Sequence, residues 1–219
     1  MWRVVWLVGE VASGKSTLLH KFVSAHGGGS GYVITIQYKT QRYVFSEIGR
    51  HGSRVFVLGP ANAYTNHDVR PGIDSGSTPF RASFHIAVAK LLQTSPAGTL
   101  ILDVSSYPMS GLETLGTFAD VYALFMPRAS TETLRKRYYE RQKKDPRYYS
   151  RTYEQNHKMV TRTLNKVRDW LSEHAVREVQ LTAPNMLYTL KSLVLRRQSP
   201  SPRRSRKGRF SESRGQLSR

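Results

Sequence analysis

The chain has 219 residues and a mass of 24.9 kDa, with 39% hydrophobic and 22% charged residues; this suits one globular domain and excludes a mainly disordered chain or a multidomain machine. Lys and Arg number 34 against 15 Asp and Glu, a formal charge of +19, which points to a polyanionic partner and away from acidic proteins or cationic ligands. Cysteine is absent, so disulfides, thiolate metal centres and a thiol nucleophile are excluded.

The first element is the run RVVWLV from Arg3 to Val8, whose near-continuous apolarity predicts a strand buried on both faces of a parallel sheet. Its apolar core, Val4 to Val8, is far short of the roughly 20 residues that cross a bilayer, and it meets Gly9 without a small-residue cleavage site, so no signal peptide or membrane span is expected. A helix is predicted over Ser16 to Ala25, then strands over Tyr32 to Gln37 and Arg54 to Leu58. The long polar connection from Gly59 to Ser77 is rich in Gly, Pro and Asn, and connections of that length are usually functional or disordered; we expect a functional one. A helix follows over Pro79 to Gln93, capped by Ser77 or Thr78 with Pro79 at its first position. Strands over Thr99 to Val104 and Val121 to Met126 come next, then helices over Ser130 to Gln142, capped by Ser130 or Thr131, and Tyr153 to His174. A last strand is predicted over Val176 to Leu181. Alternating strands and helices predict an α/β sheet with helices on both faces. No repeat recurs along the chain. Residues 196–219 carry nine Lys or Arg and one acid, a net +8 that leaves +11 on the body. With almost no apolar residue, the segment 198–219 is expected to be a disordered basic tail beside a domain of residues 1–197.

Between the first strand and the first helix stands Gly9-Glu10-Val11-Ala12-Ser13-Gly14-Lys15-Ser16-Thr17, which matches the nucleotide-binding pattern G-x-x-x-x-G-K-[ST] in the strand-to-helix context the chemistry requires. In such a loop successive backbone N–H groups converge on phosphates, Lys15 reaches the β- and γ-phosphates, and the Ser16 hydroxyl ligates magnesium. The second part is an acid at the end of an apolar strand, and Leu100-Ile101-Leu102-Asp103 supplies one. Asp103 is the candidate magnesium-side carboxylate, with a turn cap for Ser105 and Ser106 as the plain alternative.

The loop near the N-terminus, the small domain and the arginine-rich stretch after the strand Val121 to Met126 together resemble the nucleoside and nucleotide kinase group of phosphate-loop proteins. The resemblance implies a three-layer P-loop NTPase kinase-type fold with a mostly parallel sheet, ATP and Mg2+ as cofactors, and an arginine-rich helical lid at about residues 130–152. Arg137 and Arg141 lie four apart on one helix face and would approach the transferred phosphoryl group together. Arg135 is a further candidate, and a solvated basic face or a nucleic-acid-tracking surface is the alternative for the whole cluster. No Asn-Lys-x-Asp base-reading motif of switch GTPases occurs.

A narrower likeness lies between Val55 and Ser77, where VFVLG leads through Asp68 and Arg70 into Pro71-Gly72-Ile73-Asp74-Ser75-Gly76-Ser77. This is similar to the bacteriophage kinases that phosphorylate 5-hydroxymethyluracil in DNA, with Pro71 where a second glycine is expected. The likeness implies that Asp74, or less readily Asp68, accepts the acceptor hydroxyl's proton, and that Arg70 and Arg81 hold anionic substrate groups. Asp74 in a Gly/Pro/Ser turn is also explained by bonding to its own backbone. Tyr64, Phe80 and Phe84 are candidates for stacking on a base, Phe84 and Ile86 to Leu92 reading first as a helix core face. Tyr138, Tyr139, Tyr148, Tyr149 and Tyr153 beside the basic stretch suit single-stranded or flipped bases, or ordinary helix packing.

A +8 tail gives salt-dependent attraction to every backbone phosphate of a polymer and has no evident use on a free nucleoside. The reading is therefore an ATP-dependent kinase acting on a hydroxyl of a nucleic-acid substrate, with 5-hydroxymethyluracil in phage DNA as the specific expectation. A nucleoside or nucleoside-monophosphate kinase and a nucleic-acid-binding ATPase are the alternatives. No membrane partner is expected, and the location expected is cytoplasmic, in the host cell if a phage encodes the chain.

Overall fold

A computed structural model of the chain describes residues 1–10, 12–27, 30–36, 41–50, 53–58, 78–103, 109–144, 152–173 and 176–195. Strand β1 (Trp2–Val8) forms around the uninterrupted apolar run Val4 to Val8, and it lies in the interior of a seven-stranded sheet. Around it stand β2 (Ser30–Ile36), β3 (Gln41–Arg50), β4 (Ser53–Leu58), β5 (Thr99–Leu102), β6 (Ala119–Phe125) and β7 (Arg177–Gln180), in the order β2-β3-β4-β5-β1-β6-β7. From β4 through β7 all pairings are parallel, whereas β2, β3 and β4 form an antiparallel meander at one edge. The expected parallel sheet is thus present, with β3 as an additional strand beside those expected.

The helices are α1 (Lys15–Ser24), α2 (Thr78–Thr94), α3 (Met109–Phe118), α4 (Thr131–Lys144), α5 (Tyr153–Glu173) and α6 (Met186–Leu195). On one face of the sheet, Phe84, Val88 and Leu91 of α2, Leu115 of α3 and Leu164, Val167 and Trp170 of α5 bury against Trp2, Val4 and Trp6. On the other, Leu18, Leu19 and Phe22 of α1 and Leu190 and Val194 of α6 bury against Val5, Leu7 and Leu124. Successive residues of β1 therefore point into opposite cores, the reason its sequence is apolar without alternation. The result is the expected three-layer α/β class.

Local chemistry fixes the ends. Ser130 is the cap of α4, its Oγ accepting from the Thr133 N–H at 3.2 Å. Thr152 and Gln155 cap α5 reciprocally: Gln155 N–H donates to Thr152 Oγ1 at 3.3 Å and Thr152 N–H to Gln155 Oε1 at 3.1 Å, a capping box. Ile86, expected on the core face of α2, is 42% exposed; a helical face advances about 100° per residue, and Ile86 lies outside the stripe made by Phe84, Val88 and Leu91. The basic tail and the connection from Gly59 to Ser77 lie outside the described residues.

The chain leaves β1 through α1 toward β2 on one side of the sheet, whereas it leaves β5 and β6 toward β6 and β7 on the other. Such a reversal opens a crevice beyond the carboxyl ends of the strands, the usual ligand position in sheets of this kind. Gly9, Asp103 and Met126 follow the last residues of β1, β5 and β6 and line up there: Met126 N–H donates to Val8 O at 2.8 Å and Asp103 N–H to Leu58 O at 2.9 Å.

Candidate active site

The chain must turn sharply between Val8 and Lys15. At Gly9 a Cβ would lie 2.9 Å from Met126 Cβ and 2.9 Å from Ser13 Oγ, so a side chain there would push the loop off the strand ends. Gly14 sits at φ +98°, ψ 10°, a left-handed conformation that glycine adopts without a Cβ penalty. Ala12 is also left-handed, at φ 62°, which for a residue with a Cβ costs on the order of 1–2 kcal/mol. The motif accounts for the two glycines and does not announce Ala12. Inside the turn, Ser13 N–H donates to Glu10 O at 3.2 Å.

Lys15 opens α1, and its side chain folds back over the loop. Its Nζ donates to Gly9 O at 2.8 Å and to Glu10 O at 2.9 Å, and the residue is only 7% exposed. The ammonium thus lies at the loop's mouth on neutral acceptors that an anionic phosphate oxygen would outcompete. Next to it, Ser16 Oγ donates to Asp103 Oδ2 at 2.7 Å, joining residues from α1 and the end of β5. Asp103 is 6% exposed. A hydroxyl and a buried carboxylate in contact beside the loop form the hard-oxygen donor set that fits magnesium, an ion that takes one or two carboxylates and fills its shell with water and substrate phosphates. Asp103, the candidate magnesium-side carboxylate, therefore meets Ser16 itself.

A cavity of about 600 Å³ opens over the loop, within the size range of sites for nucleotide-sized ligands. It is lined by residues Ala12 to Leu18 with Lys21, by Arg137, Glu140 and Arg141 of α4, and by Ala183, Pro184, Met186 and Leu187, which make an apolar end. Two of the three candidate arginines thus share the cleft with Lys15. The third turns away: Arg135 Nε pairs with Glu154 Oε1 at 2.9 Å and its guanidinium lies 5.8 Å from the Tyr153 ring centre. The apolar end was not expected from the sequence, because it depends on how α6 packs against α1.

The arginine helix rests on a small cluster of its own, made of Leu134, Tyr138 and Tyr153 with Ala12 and Tyr139 against it. Asn156 Nδ2 donates to the Tyr138 hydroxyl, and the Tyr153 ring stacks on His157 at 5.4 Å and 21°. His157 Nδ1 in turn lies 2.8 Å from Glu10 Oε2, so the pair of helices α4 and α5 touches the loop through Glu10. Burial, and then the Glu10 carboxylate, push the Tyr153 phenol above its ordinary value, with Arg135 opposing. Glu154 is held below the usual carboxylate range, first by its own backbone N–H at the start of α5 and further by Arg135.

The aromatic expectations are corrected in part. Tyr138 and Tyr153 are fully enclosed at 0% and 2% exposure and Phe84 at 3%, so none of the three offers a face to a base; each is the core residue its helical spacing allows. Arg81 is in the first turn of α2, and its side chain lies outside the described residues. So do Tyr64, Asp68, Arg70, Asp74, Tyr148, Tyr149 and the loop residue Val11. Thr17, the last residue of the motif, lines the cleft from α1.

The chain matches no protein-family model and no curated protein sequence. Among solved structures it is similar to a shikimate kinase from Acinetobacter baumannii in complex with shikimate, with a TM-score of 0.44, 14% identity, and coverage of 89% of this chain and 94% of that one. It is also similar to a gluconokinase from Sinorhizobium meliloti 1021, with a TM-score of 0.38, 13% identity, and coverage of 88% and 89%.

Proposed function

We propose that the chain is a phosphotransferase that moves the γ-phosphoryl group of ATP to a hydroxyl acceptor with the help of magnesium. The observation that carries the reading is the meeting of Lys15, the Ser16–Asp103 pair, Arg137 and Arg141 around one cleft. Phosphoryl transfer needs positioning and charge neutralisation more than covalent chemistry, and these groups supply both. Lys15 would exchange its two carbonyl partners for β- and γ-phosphate oxygens. Arg137 and Arg141 would face the transferring group from α4, and the apolar end of the cleft would take the nucleobase. Ser16 and Asp103 would hold magnesium, which when bound spreads the negative charge of the phosphates.

In the transfer the acceptor hydroxyl gives its proton to a carboxylate, for which Asp74 is the first candidate and Asp68 the second. The acceptor oxygen bonds the γ-phosphorus as the bond from that phosphorus to the β–γ bridging oxygen breaks, and ADP leaves. The acceptor class proposed is a hydroxyl on a nucleic-acid polymer, with 5-hydroxymethyluracil in DNA as the specific candidate. Its support is the charge of +19, of which +8 falls in residues 196–219, since every phosphate contact adds attraction to a polymer.

The test is transfer of labelled γ-phosphate from ATP to a panel of hydroxymethyluracil-containing DNA, ordinary DNA, free nucleosides and nucleoside monophosphates, with Lys15→Ala as the blank. Label on modified DNA is expected. Label on a free nucleoside or nucleotide alone moves the acceptor to a metabolite, and free phosphate with no labelled acceptor on the whole panel overturns the transferase reading.

A further inference from the structure

Helix α5 presents two unlike faces. Its inner face, with Val160, Leu164, Val167, Trp170 and Leu171, is buried against the sheet. Its outer face carries Lys158, Arg162 and Lys166, all exposed and spaced four residues apart, so they form a single row along the helix. Between Glu154 and Asp169 the sequence has no acidic residue. No carboxylate pairs with any of the three among the described residues, whereas Arg135 has Glu154 and Arg54 has Glu47. Arg168, the fourth cation of this stretch, belongs elsewhere, its guanidinium lying 5.8 Å from the Phe125 ring centre.

The position of the row matters as much as its charge. It begins one residue after His157, whose ring nitrogen touches Glu10 of the phosphate loop, and runs away from the cleft down the flank of the domain. From Lys158 to Lys166 the helix rises about 12 Å, a length over which one strand of a duplex presents three or four phosphates at about 3.4 Å each. An anionic membrane is a poorer match, because a surface-lying helix needs an apolar face to insert. Here that face is already used in the core, and among the described residues Met159, 47% exposed, is the only large apolar residue on the outside of the helix.

We propose that the outer face of α5, through Lys158, Arg162 and Lys166, is a docking surface for the phosphodiester backbone of a nucleic-acid strand that enters or leaves the cleft. This deepens the nucleic-acid acceptor reading and rests on it. The contacts are to phosphates, so they set the register and orientation of the strand and carry no sequence preference.

The experiment titrates the full-length chain with fluorescent single-stranded and duplex oligonucleotides at several salt concentrations. It compares the native chain, a Lys158→Gln/Arg162→Gln/Lys166→Gln variant, and a charge-keeping Lys158→Arg/Arg162→Lys/Lys166→Arg variant, each checked by its melting curve. The Gln variant is expected to bind about tenfold or more weakly near 0.1 M salt, and its slope of log affinity against log salt to fall by about 2 on single strands or about 3 on duplex. The charge-keeping variant is expected to behave as the native chain, and Arg162→Gln alone to lose roughly one unit of slope. If the native chain binds and the Gln variants keep its slope, the α5 surface is overturned while the nucleic-acid reading stands, the basic segment beyond residue 196 then carrying the attraction. If the native chain binds neither oligonucleotide, both fall.

Discussion

The two walls of the cleft are held by different kinds of structure. The loop wall stands on the centre of the sheet: β1 is paired with β6 from Trp2 to Val8 and with β5 on its other side, and Gly9 is wedged against Met126 with no room for a Cβ. The arginine wall hangs from a cluster of three buried side chains, Leu134, Tyr138 and Tyr153, with an exposed ion pair and a ring stack to brace it. A large two-sided core opens only on global unfolding, whereas a small satellite cluster opens at lower free energy. The sheet therefore fixes where the loop sits, and the helix pair fixes where Arg137 and Arg141 stand.

The sharpest way to break this contrast is at Lys15. Lys15→Ala should lower the transfer rate by about three orders of magnitude, the scale of losing a phosphate-neutralising group, with the labelled-phosphate assay as the readout. Arg137→Ala and Arg141→Ala should each cost about 10²-fold in kcat with the melting temperature unchanged, since both side chains are exposed. Unchanged kcat in both would make α4 a plain solvated surface. Tyr138→Ala should destabilise the α4–α5 cluster by about 3 kcal/mol. Hydrogen exchange should then quicken in α4 and the first turns of α5 and leave β1 as slow as before; equal quickening in β1 would erase the distinction between the walls.

A smaller effect follows from Tyr153. Its phenol is raised by burial and by Glu10, so the neutral form is the one the fold prefers. That contribution is present in full below the ordinary tyrosine value of about 10 and is lost as pH rises through the raised value. Denaturant melts across this alkaline range should show a decline that Tyr153→Phe flattens. The smallest effect is expected at Ala12. Ala12→Gly relieves the left-handed backbone and adds freedom to the unfolded chain, two terms of about 1 kcal/mol that oppose one another, so the melting temperature should move by only a few degrees.

The loop wall was legible in the sequence and the other wall only in part. Val8, Gly9, Gly14, Lys15 and Ser16 lie within nine consecutive residues, and their chemistry is local, so the motif carries them; Asp103 was reachable because a strand end is also a local signal. The strand β3 escaped because Phe45 and Ile48 bury on opposite faces while Glu47 pairs with Arg54 at 2.6 Å, which mixes polar and apolar residues and hides any alternation. Helix α3 carries Gly111 and Gly116, each a poor helix former. Helix α6 follows a 3-10 turn over Ala183–Asn185 that holds Pro184, and the apolar end of the cleft that it helps build arises from tertiary packing, on which a linear pattern is silent. Arg135 could not be separated from Arg137 and Arg141 by spacing alone. Its partner Glu154 stands 19 residues away, and only the folded helix pair brings them together.

One consequence remains in the folded-back side chain of Lys15. Because its ammonium is already bonded to Gly9 O and Glu10 O, an arriving phosphate gains a contact only by displacing two others. Calorimetry of nucleotide binding should thus show a heat smaller than the number of new hydrogen bonds suggests, since the lysine's share is an exchange of partners and its rotamer freedom was given up on folding.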